Sequence, residues 1–260
     1  MSASSIAELW EWAEYYCPWC YVMAVRVHRV QPEYVGRVLA YTRFFPLELV
    51  NGEAPPRDVL EQEWWLAAIQ EPGASFVPFT TPDWPTTTLP AFEAVWAARQ
   101  QGMSIAMTLD LAVRRAFFGE SRNIGDRGVL LEIAHTLDLD FAQFERDFAS
   151  PAARTAVAAE GSVGRERYRV HGTPTMMLPD GRHLRAPLAI AKMRNRRVVS
   201  VPPLTCVGDD CLEGTRALFE SAIEEHRSRD TREVDRYNTA DSFPASDPPS
   251  WSPLRVGAPQ

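Results

Sequence analysis

The hydrophobic pattern of the first 50 residues predicts a strand, a helix and a second strand. Ile6 to Trp12 is short and aromatic, which is typical of a strand, and Tyr21 to Val30 has the character of a helix. Arg37 to Leu49 is rich in Val, Leu, Tyr, Phe and Thr, and Pro46 ends it as a second strand. A strand–helix–strand unit of this length usually belongs to a parallel sheet, so an α/β fold is expected.

The following hundred residues change to helical spacing. In Asp126–Leu137, for example, the apolar residues recur at intervals of three and four. The predicted helices are Arg57–Gln70, Leu89–Gln101, Ile105–Phe118, Asp126–Leu137 and Phe141–Phe148. The stretch from Pro72 to Pro90 is rich in Pro and Thr and is predicted to be a loop. Residues 55–150 are therefore interpreted as an all-helical domain inserted between two halves of a sheet domain, residues 1–54 and 151–228.

The last third of the chain returns to strands. A helix is predicted from Ala152 to Tyr168, and Pro179-Asp180-Gly181 is a turn signal between Thr175–Leu178 and Arg182–Arg185, which should pair as a hairpin. Glu213 to His226 is predicted as a closing helix. Residues 229–260 are polar and rich in Pro and Ser, so a disordered tail is expected.

Composition narrows the function classes. The 260 residues are 45% hydrophobic, enough for a substantial core, and the net charge of −7 argues against a nucleic-acid partner. No stretch approaches the roughly 18–20 apolar residues that span a bilayer, so no membrane association is expected. The N-terminus lacks the charged and apolar regions of a secretory signal. A cytoplasmic location is therefore expected, and there structural disulfides are rare.

The four cysteines fall into two close pairs, and Cys17-Pro18-Trp19-Cys20 is the more informative. If Cys17 caps the predicted helix, Pro18 occupies the first helical position, where its missing N–H is harmless. The sulfur of Cys17 then faces unpaired N–H groups and the positive end of the helix dipole, which stabilise a thiolate. Cys17 is predicted to be the nucleophile and Cys20, one turn later, the resolving cysteine.

Two other interpretations of this pair stay open. A CxxC sequence in a cytosolic protein is often half of a zinc site, although its position between a strand and a helix favours redox chemistry. A structural disulfide is the least favoured interpretation in a reducing compartment.

Gly172-Thr173-Pro174-Thr175 is the second signal. A cis bond before Pro174 would hold a loop open beside the cysteine pair. The backbone of Thr173 could then pair with an extended substrate chain. His171 precedes this loop and is a candidate for substrate contact and for tuning the thiol pKa. Trp19, between the cysteines, is expected to be partly exposed and to contact an apolar substrate segment.

Together, Tyr16 to Tyr21 and His171 to Thr175 resemble the DsbA-like thioredoxin superfamily, and more closely its cytosolic branch of FrnE-type oxidoreductases. The resemblance covers roughly residues 5–225 and implies a thioredoxin-like fold with a helical insertion. It implies that Cys17 and Cys20 form the redox disulfide, that Pro174 is the cis proline and that Thr173 lines the site. The dipeptide between the cysteines of periplasmic DsbA contains a histidine, which is absent here, so a less acidic Cys17 and a less oxidising pair are expected.

The resemblance implies a protein-disulfide oxidoreductase that needs no metal or organic cofactor, with glutathione as a candidate reductant or co-substrate. Expected partners are protein or small-molecule disulfides and thiols, and the oligomeric state stays open, with a homodimer as one option. The superfamily also includes 2-hydroxychromene-2-carboxylate isomerases and kappa-class glutathione transferases. These usually carry serine at the position of Cys17 and depend on glutathione, so the intact CxxC argues against them. A glutathione-dependent isomerase or transferase of small aromatic substrates is kept as the alternative.

Cys206 and Cys211 form a CxxxxC pair before the last predicted helix, and Gly208 would let this loop turn tightly. The spacing resembles a second cysteine pair of some FrnE-type proteins, which implies an accessory redox pair. Two alternatives remain: a structural role for these cysteines, or a zinc-binding interaction module in which both pairs hold one ion.

Overall fold

The computed structural model describes residues 6–204, 206 and 208–240, with side chains as far as Arg229. A four-stranded sheet lies at its centre, in the order β2-β1-β3-β4. β1 and β2 are parallel, and β3 is antiparallel to both of its neighbours. The strands are β1 (Ala7–Ala13), β2 (Val38–Phe44), β3 (Thr175–Met177) and β4 (His183–Leu184).

The first three elements form the predicted strand–helix–strand unit. Helix α1 (Pro18–Val30) joins β1 to β2 and is followed by a short 3-10 helix, Gln31–Tyr34. β1 is the inner parallel strand and nearly all of it is buried, which explains why its sequence is aromatic and apolar rather than alternating. Because β1 and β2 run the same way, both of their carboxyl ends reach the edge of the sheet from which α1 starts.

Helices occupy the chain between β2 and β3. They are α2 (Leu47–Asn51), α3 (Arg57–Ala68), α4 (Leu89–Arg99), α5 (Met103–Glu120), α6 (Arg127–His135), α7 (Phe141–Ala149) and α8 (Pro151–Glu166). Asp126, Asp140 and Ser150 cap α6, α7 and α8 through side-chain hydrogen bonds to backbone N–H groups. Helix α4 is buried on nearly every side and forms the centre of the helical core.

The residues after β4 differ from the prediction. A second, two-stranded sheet is formed by β5 (Lys192–Arg194) and β6 (Arg197–Ser200), where the sequence predicts no strand. These strands are three and four residues long, too short for an alternating pattern to identify them. The closing helix α9 (Asp210–Ala240) packs against α1 and β1.

Helix α9 also corrects the predicted start of the tail. It continues to Ala240, so the segment 229–240 is helical rather than disordered. No Gly or Pro interrupts the sequence between Thr215 and Ala240, so nothing in that stretch breaks a helix. The remainder of the predicted tail, residues 241–260, lies outside the described residues. In the part of the chain with described coordinates, no helix is long and apolar enough to cross a membrane.

Candidate active site

Cys17 occupies the N-cap position of α1, and Pro18 is the first residue of the helix. The strand β1 ends four residues before Cys17, so the cysteine lies close to the edge of the sheet where α1 begins. Both Cys17 and Cys20 are free thiols, with 8% and 0% of their surfaces exposed. The outer sulfur is thus the one that a substrate can reach, and the inner sulfur lies one turn behind it.

The pKa values of the two thiols are shifted in opposite directions. Burial acts to raise the pKa of the Cys17 thiol, but hydrogen bonds from the Cys20 thiol, the Thr173 side chain and the Cys20 backbone N–H outweigh it. The pKa of Cys17 is therefore lowered. For Cys20, burial and the hydrogen bond to Cys17 both raise the pKa well above that of an ordinary thiol.

The loop before β3 lies against the outer sulfur. The Cys17 thiol donates a hydrogen bond to the carbonyl oxygen of Thr173 over 3.4 Å, and the peptide bond between Thr173 and Pro174 is cis. Thr175 steadies this loop, because its hydroxyl donates to the carbonyl oxygen of Gly172 over 2.8 Å. Residues 156 positions apart in the sequence are therefore in contact at one site.

Trp19 does not have the exposure expected from its position between the cysteines. Only 2% of it is exposed, and it packs in a buried cluster with Cys17, Cys20 and Ala67. The expectation of a partly exposed ring is wrong because α3 covers this face of α1. Its predicted contact with an apolar substrate segment stays a prediction.

His171 is exposed at the start of the Thr173 loop. The largest effects on the pKa of Cys17 come from burial and from hydrogen bonds with Cys20 and Thr173. The predicted contact of His171 with substrate stays a prediction.

Two acidic residues of the site were missed by the sequence analysis. Glu11, in β1, is 4% exposed, and one of its carboxylate oxygens has no hydrogen-bond partner. Burial, opposed by the charge of Arg114, raises its pKa well above the ordinary value, and its charge raises the pKa of Cys20. Burial raises the pKa of Glu63, in α3, and the charge of Glu63 acts to raise the pKa of Cys17. The sequence does contain a signal for Glu11, because a glutamate in the middle of an apolar strand indicates a buried carboxyl group.

The segment between β1 and Cys17 is held by a buried carboxylate. Glu14 accepts hydrogen bonds from the backbone N–H groups of Tyr15 (2.7 Å) and Leu47 (2.6 Å) and from the hydroxyl of Thr88 (2.8 Å). Burial raises the pKa of Glu14 to about 7, although these hydrogen bonds lower it. Its backbone oxygen accepts a hydrogen bond from Arg114 over 3.0 Å.

Two tyrosines that flank the cysteine pair bind the long loop between α3 and α4. The hydroxyl of Tyr16 donates to the carbonyl oxygen of Pro85 over 2.7 Å, and the hydroxyl of Tyr21 accepts from the backbone N–H of Ser75 over 3.2 Å. The rings of Tyr21 and Phe118 stack with centroids 5.2 Å apart. The helices between β2 and β3, with their connecting loops, are called the helical block from here on. This block forms one wall of the site.

Cys206 and Cys211 are bonded to each other as a disulfide. Gly208, between them, has a φ of +61° and donates from its backbone N–H to the carbonyl oxygen of Gln70. Asp209 forms an ion pair with Arg29, near the C-terminal end of α1. Since Cys17 caps the opposite end of α1, twelve residues or about 18 Å away along the axis, this disulfide lies apart from the redox pair.

A zinc site shared by the two pairs is not formed, because Cys206 and Cys211 are bonded to each other near the far end of α1. Among the residues that the structure describes, no group of three or more His, Cys, Asp or Glu side chains is arranged to hold a metal ion.

The fold and the cysteine pair together define a thioredoxin-like protein with a helical insertion. The family model of the DsbA-like thioredoxin domain matches residues 8–190, and the chain belongs to this family. The match includes β1, the cysteine pair, the helical block and the Thr173 loop. The predicted α/β thioredoxin-like fold is thereby confirmed.

Solved structures agree on the fold. A candidate protein disulfide isomerase from Nitrosomonas europaea is similar at 16% identity with a TM-score of 0.59, covering 85% of this chain and 100% of its own. The cytosolic disulfide reductase DsbM from Pseudomonas aeruginosa, solved with GSH, is similar at 21% identity with a TM-score of 0.54, covering 68% and 89%. A probable DsbA oxidoreductase from Streptomyces coelicolor has 21% identity and a TM-score of 0.51, covering 68% and 82%.

Proposed function

We propose that the protein is a thiol–disulfide oxidoreductase in which Cys17 is the nucleophile and Cys20 resolves the mixed disulfide. The observation that carries this proposal is the position of Cys17, which occupies the N-cap of α1 with Cys20 one turn behind it and lies 3.4 Å from the carbonyl oxygen of Thr173. The pKa of Cys17 is lowered and that of Cys20 is raised, which agrees with these two roles. The sulfur with the lower pKa is also the more exposed one, as a nucleophile must be. Membership of the DsbA-like family supports the same chemistry.

In the reductive direction the exchange begins at Cys17. The Cys17 thiolate attacks one sulfur of a substrate disulfide, forms a mixed disulfide and expels the other substrate sulfur as a thiolate, which takes up a proton. Cys20 loses its proton and attacks the Cys17 sulfur. The substrate leaves as a dithiol, and its two electrons come from the pair, which becomes the Cys17–Cys20 disulfide. Oxidation of a substrate dithiol follows the same steps in reverse.

Two neighbouring residues have defined parts in this scheme. Glu11 is a buried carboxyl with a raised pKa whose charge acts on Cys20, so it is suited to accept the Cys20 proton. The Thr173 loop lies against Cys17, where the backbone of an entering polypeptide would pass.

Regeneration of the dithiol needs an external thiol, and we propose glutathione for this step. DsbM, to which the chain is structurally similar, was solved with GSH. Two glutathione molecules would reduce the Cys17–Cys20 disulfide and leave as glutathione disulfide. We place the protein in the FrnE-type branch and in the cytoplasm on the sequence resemblance.

The test is a pair of serine variants assayed against an oxidised peptide. Cys17→Ser should abolish exchange, whereas Cys20→Ser should accumulate a covalent adduct between Cys17 and one peptide cysteine. Intact mass spectrometry under non-reducing conditions detects this adduct, and dithiothreitol should release it. Exchange that survives in Cys17→Ser would disprove the assignment. Full turnover in Cys20→Ser with glutathione and a small aromatic substrate would instead favour the isomerase or transferase alternative.

A further inference from the structure

The segment from Gly181 to Gly208 has an unusual charge. It holds six of the 27 Lys and Arg residues of the chain and none of its 34 Asp and Glu residues. The cations are Arg182, Arg185, Lys192, Arg194, Arg196 and Arg197. Because the whole chain has a net charge of −7, this segment is a local positive region on an acidic protein.

The β5–β6 hairpin brings three of these cations close together. Arg194 lies directly opposite Arg197 in the register, so these two share a face. Lys192 lies two residues before Arg194 on the same strand, next to an irregularity in the register between Lys192 and Met193. All three are exposed, and none of them has an ion pair among the described residues. Arg196, at the turn, is bound to Asp58. Like charges directly opposite in a hairpin destabilise it, so folding does not account for this arrangement.

The base of the hairpin packs in the apolar cluster that contains the redox pair. Ala191, immediately before β5, belongs to the buried cluster that contains Cys17 and Cys20, and Val198 of β6 packs against the same cluster. The backbone N–H of Val198 donates to the side chain of Gln62 on α3 over 3.3 Å. These contacts hold the cationic hairpin next to α3 and the apolar cluster of the site.

A groove begins beside the Thr173 loop, at Pro174, and reaches Ile190, two residues before β5. Its volume is about 790 Å³, it opens to solvent, and Pro174 and Arg185 line it together with the apolar residues Leu188 and Ile190. An extended polypeptide that passes the Thr173 backbone can enter this groove while its flanking residues reach the hairpin. A single small disulfide at Cys17 would leave most of the groove unfilled.

We propose that the hairpin and the groove select polypeptides in which Asp and Glu flank the reacting cysteine, so that acidic protein segments are the preferred substrates. This inference rests on the proposed exchange reaction and names its substrate class. The unpaired charges of Lys192, Arg194 and Arg197 attract the acidic flanks, and the apolar groove binds the chain between them. The contribution is mainly to the rate of encounter, and added salt weakens it.

The experiment uses three synthetic peptides of equal length, each with one internal disulfide and with flanks of Glu, Gln or Lys. Single-turnover rate constants are measured with excess reduced full-length protein and are divided by the rates with dithiothreitol, which corrects for intrinsic peptide reactivity. We expect the Glu peptide to react about 10-fold faster than the Lys peptide at low ionic strength. The ratio should fall to about 2 in 0.5 M salt.

The variant Arg194→Gln/Arg197→Gln should lower the Glu-to-Lys ratio to about 2 at low ionic strength. The control Arg115→Gln/Arg146→Gln removes two exposed cations from the helical block and should keep the ratio of the unmodified protein. Lys192→Glu is a second test that leaves Arg194 and Arg197 unchanged. Reversing this one charge should also lower the Glu-to-Lys ratio. Thermal unfolding of each variant checks that the fold is retained.

Equal normalised rates for the three peptides, or an unchanged ratio in both hairpin variants, would overturn the substrate assignment. So would a preference for oxidised glutathione over every peptide regardless of its flanks. These outcomes are distinguishable from failure of the exchange reaction itself, which would show as peptide reduction that persists in Cys17→Ser.

Discussion

Arg114 binds Asp110 one helical turn earlier in α5, through hydrogen bonds of 3.0 Å and 3.2 Å to its two carboxylate oxygens. Both side chains are fully buried. Asp110 also accepts a hydrogen bond from the hydroxyl of Tyr15 over 2.8 Å, and Arg114 donates one to the backbone carbonyl oxygen of Glu14 over 3.0 Å. Glu14 and Tyr15 lie just before Cys17. The buried Arg114–Asp110 ion pair therefore positions the segment that carries the nucleophile.

Removing the cation should therefore cost stability. Arg114→Met leaves the Asp110 carboxylate buried without its counter-charge, and we expect a loss of about 3–5 kcal/mol in the free energy of unfolding. Arg115→Met, at the exposed neighbouring position, should change it by only about 0.5 kcal/mol. Urea unfolding measures both values. Similar losses in the two variants would show that the network does not stabilise the fold.

The pKa of Cys17 should depend on Thr173. Thr173→Val removes a hydroxyl whose hydrogen bond favours the thiolate, so the pKa of Cys17 should rise and the thiolate should form at higher pH. The rate of alkylation by iodoacetamide, followed against pH, reports this midpoint. Thr175→Val is the matched control, since its hydroxyl binds Gly172 and does not act on the sulfur. A midpoint that moves equally in both variants would refute a specific effect of Thr173.

Glu11 should make stability fall as pH rises. Its pKa is raised in the folded protein, so between the ordinary value of 4.5 and the raised value the folded state binds more protons than the unfolded state. The contribution of Glu11 is most favourable below pH 4.5 and is lost as pH rises through the folded pKa. Glu11→Gln should flatten this decline and raise the stability at pH 8 relative to the unmodified protein. Denaturant unfolding at several pH values tests the slope.

The same variant should slow resolution of the mixed disulfide. Without a carboxylate to accept the Cys20 proton, the second step should be slower by about 10- to 100-fold, while the first attack by Cys17 changes little. Rapid acid quench followed by mass spectrometry resolves the two steps. An equal slowing of both steps would indicate a general distortion of the site instead of a lost proton acceptor.

Gly164, in α8, is a packing constraint behind the sheet. A Cβ atom added there would lie 2.7 Å from the Trp12 ring and 3.1 Å from the Phe45 ring. Gly164→Ala should therefore destabilise the protein by about 1–3 kcal/mol, even though alanine is the better helix former. Ser162→Ala, at an exposed position of the same helix, should change stability little. An unchanged melting temperature for Gly164→Ala would contradict the close packing.

The Cys206–Cys211 disulfide should be reduced more slowly than an oxidised Cys17–Cys20 pair. Cys211 is buried, so an attacking thiolate has little access to its sulfur, and the pair lies apart from Cys17. Timed alkylation during treatment with dithiothreitol, read by peptide mass, follows each pair separately. Rapid reduction of Cys206–Cys211 that depends on an intact Cys17 would support the accessory redox pair predicted from the sequence.

The sequence predicted the local elements of this site better than its surroundings. The order strand, CxxC, helix is a short-range pattern, so β1, α1 and the position of Cys17 at the helix start followed from about 25 residues. The hairpin of β3 and β4 likewise followed from its turn signal. Local patterns of this kind depend on propensity and capping, which a single sequence displays.

Features that depend on tertiary contacts could not be predicted in this way. Trp19 is buried because α3 folds back over it, and the sequence contains no signal for that packing. The roles of Glu11 and Arg114 depend on burial, since the same residues on a surface would be ordinary charges. The β5–β6 hairpin is too short and too polar to show a strand period.

The hydrogen bonds of Tyr16 and Tyr21 have a consequence for engineering. Excising residues 55–150 and joining the flanking halves would leave two aromatic side chains beside the cysteines with nothing to cover them and no partner for their hydroxyls. A minimal thioredoxin made from this chain would thus need replacements at both tyrosines. Chimaeras that exchange the insertion with a relative should succeed only if the donor supplies equivalent acceptor and donor groups.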